Sequence, residues 1–142
     1  MTVRSGHDPE SSQVMDSLVR VSFTVIALLS QAAAAHDLSL TQLRVLAILR
    51  DREPKMAELA QYLGLDRSSV SGLIDRAAGR ELVRRDTSSD DGRAVRVSLT
   101  PDGRRLARLL TDEIGGLIRP MTGNLSPADQ RRLSVLLNRL ID

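Results

Sequence analysis

The fold is decided by residues 56–76, MAELAQYLGLDRSSVSGLIDR. Apolar residues recur at helical spacing on both sides of Gly64-Leu65-Asp66, which predicts two short helices joined by a tight turn. Glycine adopts the left-handed conformation that ends a helix, and aspartate is a favoured N-terminal cap. We therefore expect helices over about 56–63 and 67–80. Such a pair forms a helix-turn-helix, although an ordinary helical hairpin has the same local pattern.

The spacing also predicts which residues of this pair face the core. They are Met56, Leu59, Ala60, Leu63, Leu65, Val70, Leu73, Ile74 and Ala77. Beside or opposite that face, the second helix carries Arg67, Ser68, Ser69, Ser71 and Gly72. Arginine pairs with guanine or phosphate, serine hydroxyls donate or accept at base edges, and glycine allows a close approach. The alternative is that the serines only cap the helix and contact water.

After the helix pair the apolar period changes from helical to two. Residues 82–86 (LVRRD) and 93–99 (RAVRVSL) flank a turn-rich segment, TSSDDG. Val95, Val97 and Leu99 are expected to face one way, and Ala94, Arg96 and Ser98 the other. Strict alternation on both sides of a turn predicts an antiparallel hairpin, whose tip carries Asp90, Asp91 and Arg93.

The N-terminal part combines a polar tail with an apolar helix. Residues 1–11 are polar with Gly and Pro, which predicts a flexible tail before a single domain over 12–142. A helix is expected from Ser12 to about His36, and residues 21–36 contain no Asp, Glu, Lys or Arg. This run is shorter than the roughly 18–20 apolar residues of a bilayer span. We therefore expect no membrane contact, and burial of the helix against a second subunit.

Three further helices have clear start or stop signals. One is expected from Leu40 or Thr41 to about Arg50. Thr100-Pro101-Asp102 combines a hydroxyl cap, a proline at the first position and an acid in the first turn, which predicts a helix that ends at Pro120. Ser126-Pro127 repeats the start signal for a last helix that runs to the C-terminus.

Composition excludes several classes of function. The chain has 142 residues, 42% hydrophobic and 27% charged, which is the balance of one soluble globular domain. It has no cysteine, so disulfides, thiolate metal sites and cysteine nucleophiles are excluded. Its two aromatic residues, Phe23 and Tyr62, are too few for a base-stacking surface. We find no phosphate-binding loop, metal-ligand pair or nucleophile with its base, so we expect no catalytic residues, no metal and no cofactor.

The positive charge is concentrated in one part of the chain. Residues 67–108 hold ten arginines and six acids, a net charge of +4, within an overall net charge of +2. Such a stretch is typical of a surface that faces phosphates, although a merely solvated face would look the same.

A helix-turn-helix followed at once by a basic hairpin forms a winged helix, and here the chain resembles the MarR family of bacterial transcriptional regulators. The resemblance is carried by residues 56–76 and by 82–104, LVRRDTSSDDGRAVRVSLTPDGR. Its most specific part is Asp91-Gly92-Arg93 leading into Leu99-Thr100. The resemblance covers nearly the whole chain. It implies a mainly α fold with a small β-hairpin wing, with residues 40–100 as the winged helix-turn-helix and 12–36 and 101–142 as dimerisation helices.

The resemblance implies a homodimer that binds a pseudo-palindromic operator in double-stranded DNA, with recognition helices in major grooves and wings in minor grooves. The expected DNA-binding residues are Arg67, Ser68, Ser69, Ser71, Gly72, Arg76 and Arg93, with Asp91 and Arg96 supporting the wing. The family often has another arginine where this chain has Gly92, and Arg96 or Arg85 would compensate. For Arg76, Arg84 and Arg85, an ion pair with a nearby acid (Asp75, Glu81 or Asp86) is the alternative to phosphate contact.

Many members of the family release DNA when a small effector binds between the dimer helices and the winged helix. Arg20 is the candidate for an anionic effector, and an ion pair with Asp16, four residues earlier, is the alternative. His36 is expected at a helix end rather than in a ligand site. The predicted function is a cytoplasmic, dimeric, sequence-specific regulator, a repressor released by an effector, and not an enzyme. The alternative is a winged-helix protein-interaction module without specific DNA binding.

Overall fold

A computed structural model of the chain describes residues 8–87 and 94–142. Within these ranges, six helices and one two-stranded sheet follow one another along the chain. They are α1 (Pro9–Ala34), α2 (Leu40–Asp51), α3 (Met56–Leu63), α4 (Arg67–Gly79), β1 (Val83–Thr87), β2 (Val95–Leu99), α5 (Pro101–Thr122) and α6 (Pro127–Ile141). This order confirms a mainly α winged helix-turn-helix with a β-hairpin and flanking N- and C-terminal helices.

Local capping explains where most helices begin. Ser39 and Gln42 form a reciprocal capping box at α2, and the Ser126 hydroxyl accepts a hydrogen bond from Asp129 N at α6. Helix α1 begins at Pro9, three residues before the expected start at Ser12. The reason is a cap within the polar segment, because the Asp8 carboxylate accepts from Glu10 N and proline occupies the first helical position. Residues 1–7 of the predicted tail lie outside the described ranges.

The predicted end of α5 at Pro120 is wrong, because the helix continues to Thr122. A proline inside a helix removes one backbone hydrogen bond and crowds the carbonyl four residues earlier, here that of Gly116. Glycine is the residue whose backbone adjusts most easily to such crowding. Pro120 also lies within the last turn, so its missing donor interrupts the helix only where the helix already ends.

The core is formed by side chains from α2, α3, α4, α5 and the hairpin. Its largest fully buried members are Leu49, Leu59, Val70, Ile74, Val97, Leu99 and Leu110. Two expectations about facing were wrong. Leu65 is 38% exposed, because it follows the turn glycine and lies at the surface between α3 and α4. Ser98, expected on the outer face of β2, is buried because β2 packs against α2, α3 and α5.

The hairpin pairs Val83 with Leu99 and Thr87 with Val95. The strands therefore begin at residues 83 and 95, whereas the alternation predicted starts at 82 and 93. The segment before α3 joins the sheet edge, since Val97 N donates to Pro54 O at 2.9 Å and Lys55 forms a bridge with Arg96. This contact fixes the start of α3 to the base of the hairpin.

A tight junction connects the end of α4 to the start of α5. Thr100 N donates to Leu82 O at 3.0 Å, and the Thr100 hydroxyl donates to Glu81 O. Gly103, in the first turn of α5, lies so close to Leu82 that a Cβ atom there would clash with the Leu82 carbonyl. Glycine is therefore required at this position by the close approach of two backbones.

The terminal helices expose their apolar residues. Phe23 on α1 is 70% exposed, Leu140 on α6 is 61% exposed, and α6 has no buried residue. Helix α1 is also long and apolar enough to cross a membrane, with a mean hydropathy of 1.5 over 18 residues, of which 11% are buried. The sequence-based expectation that α1 is too short to span a membrane considered only the uncharged residues 21–36. The helix itself begins twelve residues earlier, at Pro9. A helix buried between subunits has the same length and composition.

Candidate nucleic-acid interface

The turn between α3 and α4 has the predicted geometry. Gly64 is left-handed, with φ 65° and ψ 32°, and Leu65 N donates to Ala60 O at 3.1 Å. These contacts close the end of α3 as in a Schellman motif. The turn leaves the N-terminus of α4 at the surface.

Asp66 caps α4 through two hydrogen bonds to the same carboxylate oxygen. Ser69 N and the Ser68 hydroxyl both donate to Oδ1 at 2.8 Å. The backbone N–H of Ser69 and then the Ser68 hydroxyl hold the pKa of Asp66 below its ordinary value, because hydrogen bonds stabilise the charged carboxylate. Ser68 is thus engaged in local capping, which is the alternative that the sequence left open for the serines.

One side of α4 is buried and the other is open. Val70, Leu73, Ile74 and Ala77 are buried. We define the exposed α4 face as six residues that reach the surface. Arg67, Ser68, Ser69 and Arg76 are exposed, and Ser71 and Gly72 are half-buried. A Cβ at Gly72 would meet the guanidinium of Arg76 at 3.4 Å, so Arg76 lies across the surface of this glycine.

A groove of about 470 Å³ separates the exposed α4 face from the hairpin. It is lined by Lys55, Met56 and Ala57 at the start of α3, by Arg67 and Ser71 on α4, and by Ala94 and Val95 at the start of β2. Lys55 was missed at the sequence level, since it precedes α3 rather than α4. A usable signal was present, because Lys55 directly follows Pro54 and precedes an N-terminus that attracts anions.

A second groove, of about 440 Å³, lies on the opposite side of α4. Ser68, Ser69, Gly72 and Arg76 form one wall, and Ser39 and Thr41 at the start of α2 contribute hydroxyl-bearing side chains to the other. Sequence reasoning did not single out Ser39 or Thr41, whose only local signal is the cap of α2. Hydroxyls and arginines on both sides of an exposed helix are suited to donate hydrogen bonds to phosphates.

Arg85 is held by an ion pair. From β1, its guanidinium donates to the Asp75 carboxylate at 2.5 Å and to Ser71 O at 3.3 Å, both on α4. The sequence left two alternatives for Arg85, a phosphate contact or an ion pair with an acid. In the structure Arg85 forms an ion pair with Asp75. The contact joins the hairpin to the middle of the exposed α4 face.

Arg96 also makes an internal contact, since it donates to Glu53 O at 3.0 Å and thereby supports the base of the hairpin. Arg84 is exposed on β1. The expected tip residues Asp90, Asp91 and Arg93, and Gly92 between them, lie outside the described ranges.

Arg20 borders a shallow hollow at the other end of the molecule. The hollow measures about 330 Å³ and is lined by Ser17, Arg20, Val21 and Thr24 on α1 and by Met121 on α5. Both Asp16 and Arg20 belong to the described part of the chain, where no ion pair joins them. His36 lies in the turn after α1, as expected, and its Nε2 is 2.9 Å from Glu113 Oε2 on α5.

The sequence is similar to proteins that regulate transcription. A sequence profile of the MarR family matches residues 36–94. The transcriptional repressor NicR of Pseudomonas putida is 29% identical over 117 residues, which cover 82% of this chain and 74% of NicR.

The fold is similar to solved structures of the same kind. One is BpsR of Bordetella bronchiseptica, whose DNA binding is regulated by 6-hydroxynicotinic acid. It has a TM-score of 0.74 and 29% identity, and the match covers 92% of this chain and 99% of BpsR. A mutant MarR from E. coli in complex with operator DNA has a TM-score of 0.73 and 23% identity, with 92% and 94% of the chains covered. This second likeness concerns the fold alone.

Proposed function

We propose that the chain, in which residues 36–94 match a sequence profile of the MarR family, is a member of that family and a dimeric, sequence-specific DNA-binding regulator that represses transcription until a small effector releases it. The observation that carries the proposal is the exposed α4 face, which presents arginines and hydroxyls between two open grooves. A protruding helix with donors on one side has the shape and chemistry to enter a major groove. We also propose a cytoplasmic location, which agrees with duplex DNA as the partner.

Each α4 residue then has a role that follows from its position. Arg67, Ser69 and Ser71 contact base edges or phosphates, and Gly72 lets the helix approach the groove floor once the Arg76 guanidinium turns from its surface to a phosphate. Ser68 contributes by holding the Asp66 cap, and Arg76 contacts a phosphate on the far side. Lys55 binds a phosphate in the groove between α4 and the hairpin. Arg93 enters the minor groove and Asp91 supports the wing tip.

The dimer in this proposal is formed by the terminal helices. The apolar residues that α1 and α6 expose need cover, and a second copy of the same two helices supplies it symmetrically. Residues 12–36 and 101–142 then form the dimer body, and residues 40–100 form two DNA-binding units. Two such units bind half-sites about one helical turn apart.

Fluorescence anisotropy tests this function with the full chain. Duplexes selected from a random pool by the wild-type protein are compared with a scrambled duplex at several salt concentrations. We expect binding to the selected duplex to be at least about a thousandfold tighter and to weaken steeply with salt. Equal, weak binding to both duplexes would contradict the proposal and favour a protein-interaction module.

For the effector, we propose a small anion that binds beside Arg20. The hollow there combines a guanidinium, two hydroxyl side chains and the apolar surface of Met121, and its volume suits a small molecule. The exposed face of α1 around it would gain a further wall from the second subunit. The relative BpsR responds to 6-hydroxynicotinic acid, which carries a carboxylate of the required charge.

The effector is tested by adding 6-hydroxynicotinate or nicotinate to the complex of protein and selected duplex. We expect release of the duplex by wild type, and a loss of at least about tenfold in effector sensitivity for Arg20→Met. Arg105→Met is the matched control, because this exposed arginine lies sixteen residues, about 24 Å, along α5 from Met121. Equal effector sensitivity of wild type, Arg20→Met and Arg105→Met would show that the effector does not bind at Arg20.

A further inference from the structure

The turn that follows α1 is held by two other helices. It includes His36 and the left-handed Asp37, with φ 56°, before the buried Leu38. From α5, Glu113 Oε2 contacts His36 Nε2 at 2.9 Å, and this contact is partly buried. From α4, the side chain of Arg80 reaches the same turn.

Arg80 is the C-terminal cap residue of α4 and bonds to two consecutive carbonyls of that turn. Its Nη1 donates to Asp37 O at 3.1 Å and its Nη2 donates to His36 O at 3.0 Å. A planar guanidinium that donates through two nitrogens is fixed in orientation as well as in position. The C-terminal end of α4 is therefore tied to the end of α1.

The space around this contact leaves α4 little freedom to slide. Leu38, Leu73, Ala77, Leu82 and the stem of Arg80 are among the residues that enclose a cavity of only about 10 Å³. Close-packed neighbours resist translation of α4 at this end, so a displacement of α4 relative to α1 would be a tilt about it. The two hydrogen bonds of Arg80 oppose that tilt.

The opposite end of α4 carries the exposed face. With 13 residues the helix is about 20 Å long, so a tilt of about 5° at Arg80 displaces its N-terminus by about 1.7 Å, and the same tilt in both subunits of the proposed dimer changes the separation of the two N-termini by about 3.5 Å. One base pair rises by about 3.4 Å along DNA, so this tilt equals one base pair of half-site separation. We infer that Arg80 is a positioning residue that fixes α4 on the end of α1 and so sets the half-site separation that the dimer accepts. This inference rests on the proposed function.

The binding experiment uses a series of duplexes in which the separation of the selected half-sites is changed by one base pair in either direction. The test variant is Arg80→Met, which keeps the stem over the cavity and removes the donors. We expect wild type to lose at least about tenfold in affinity on either shifted duplex, and Arg80→Met to lose less than about threefold. Arg80→Lys retains one donor group and is expected to lie between them.

Arg44→Met is the matched control, because Arg44 also donates to a backbone carbonyl, that of Tyr62 at 2.7 Å, but joins α2 to α3. It should keep the wild-type preference for one separation. A wild-type preference in Arg80→Met, or an equally flattened one in Arg44→Met, would overturn the inference.

A second measurement needs no DNA. The chain has no cysteine, so a spin label at Ser69→Cys reports the distance between the two α4 helices of a dimer. We expect this distance distribution to be broader for Arg80→Met than for the Arg80 parent, and unchanged for Arg44→Met. An unchanged width in Arg80→Met overturns the inference even if wild type binds its operator. A broadened width with no specific binding by wild type overturns the proposed function instead.

Discussion

At the scale of single residues, the ion pair between Arg85 and Asp75 has an unusual position. It joins β1 to α4 next to Ser71, and the Asp75 side chain is 63% exposed beside a surface proposed to bind a polyanion. A carboxylate there repels phosphates, so its presence costs electrostatic affinity for DNA. Its contribution to binding must then come from fixing the hairpin against α4.

Asp75→Asn distinguishes the two effects of the Asp75 carboxylate, because its repulsion of phosphates weakens DNA binding and its positioning of the hairpin strengthens it. We expect affinity for a scrambled duplex to stay equal or rise, because a negative charge is removed, while affinity for the selected duplex falls by about two- to fivefold, the value of a surface ion pair. Asp86→Asn on β1 is the matched control and should raise both affinities. If Asp75→Asn behaves like Asp86→Asn, the ion pair has no positioning role.

Gly103 offers a residue-scale test of stability. Gly103→Ala places a methyl group against the Leu82 carbonyl, and relief of that clash requires the junction between α4 and α5 to open. We expect a loss of about 1–3 kcal/mol and a melting temperature lower by roughly 4–10 °C. Gly79→Ala, where a Cβ meets nothing within 4 Å, should leave the melting temperature equal or higher. Equal melting temperatures for both variants would refute the close approach.

At the scale of the helices and strands, the terminal helices differ from the rest. Helices α2, α3 and α4 each bury one face in the core, whereas α6 exposes Val135, Leu136, Leu137, Leu140 and Ile141. A 15-residue helix without tertiary cover is marginal in water. Its stability in solution therefore depends on a partner for its apolar face.

Leu140→Glu tests that dependence. In an isolated subunit the change is nearly neutral, because Leu140 is 61% exposed, but in the proposed dimer it places a charge in an apolar interface. We expect the sedimentation-equilibrium mass to shift from dimer toward monomer and the helical circular dichroism signal to fall. The control Leu65→Glu changes an exposed leucine outside the terminal helices and should remain dimeric. A dimeric Leu140→Glu would exclude α6 from the interface.

Most elements could be predicted because their signals are local. Helix α3 and the turn at Gly64 match the prediction residue for residue, since capping and glycine geometry act within a few positions. Some of the errors occurred where distant parts of the chain decide, whereas the start of α1 was missed because of a local cap at Asp8. Ser98 is buried by helices from elsewhere in the chain, and Lys55 becomes part of a groove only when β2 lies beside α3. The ion pair of Arg85 was foreseen as an alternative, but only the fold selects it.

At the scale of the whole molecule, the symmetry of the proposed dimer would double every phosphate contact. The slope of log K against log salt for duplex DNA is about −0.9 for each phosphate neutralised. Lys55→Gln removes one contact from each of two subunits, so we expect the slope to become less steep by about 1.8. Arg52→Gln is the control, because Arg52 lies over the ring of Tyr62, away from the groove. An unchanged slope for Lys55→Gln would exclude Lys55 from the phosphate-binding surface.

The exposed apolar faces of α1 and α6 make the folding stability of this protein depend on its concentration in the cell. In the proposed dimer each chain covers the apolar faces of its partner, so dimerisation would supply part of the folding free energy and dilution would remove it. In a cell that makes few copies, much of the protein would be monomeric. Monomers would bind an operator poorly and would be cleaved by proteases more readily. Clearance of unpaired chains would then sharpen the response of the regulated genes to the rate at which the regulator itself is synthesised.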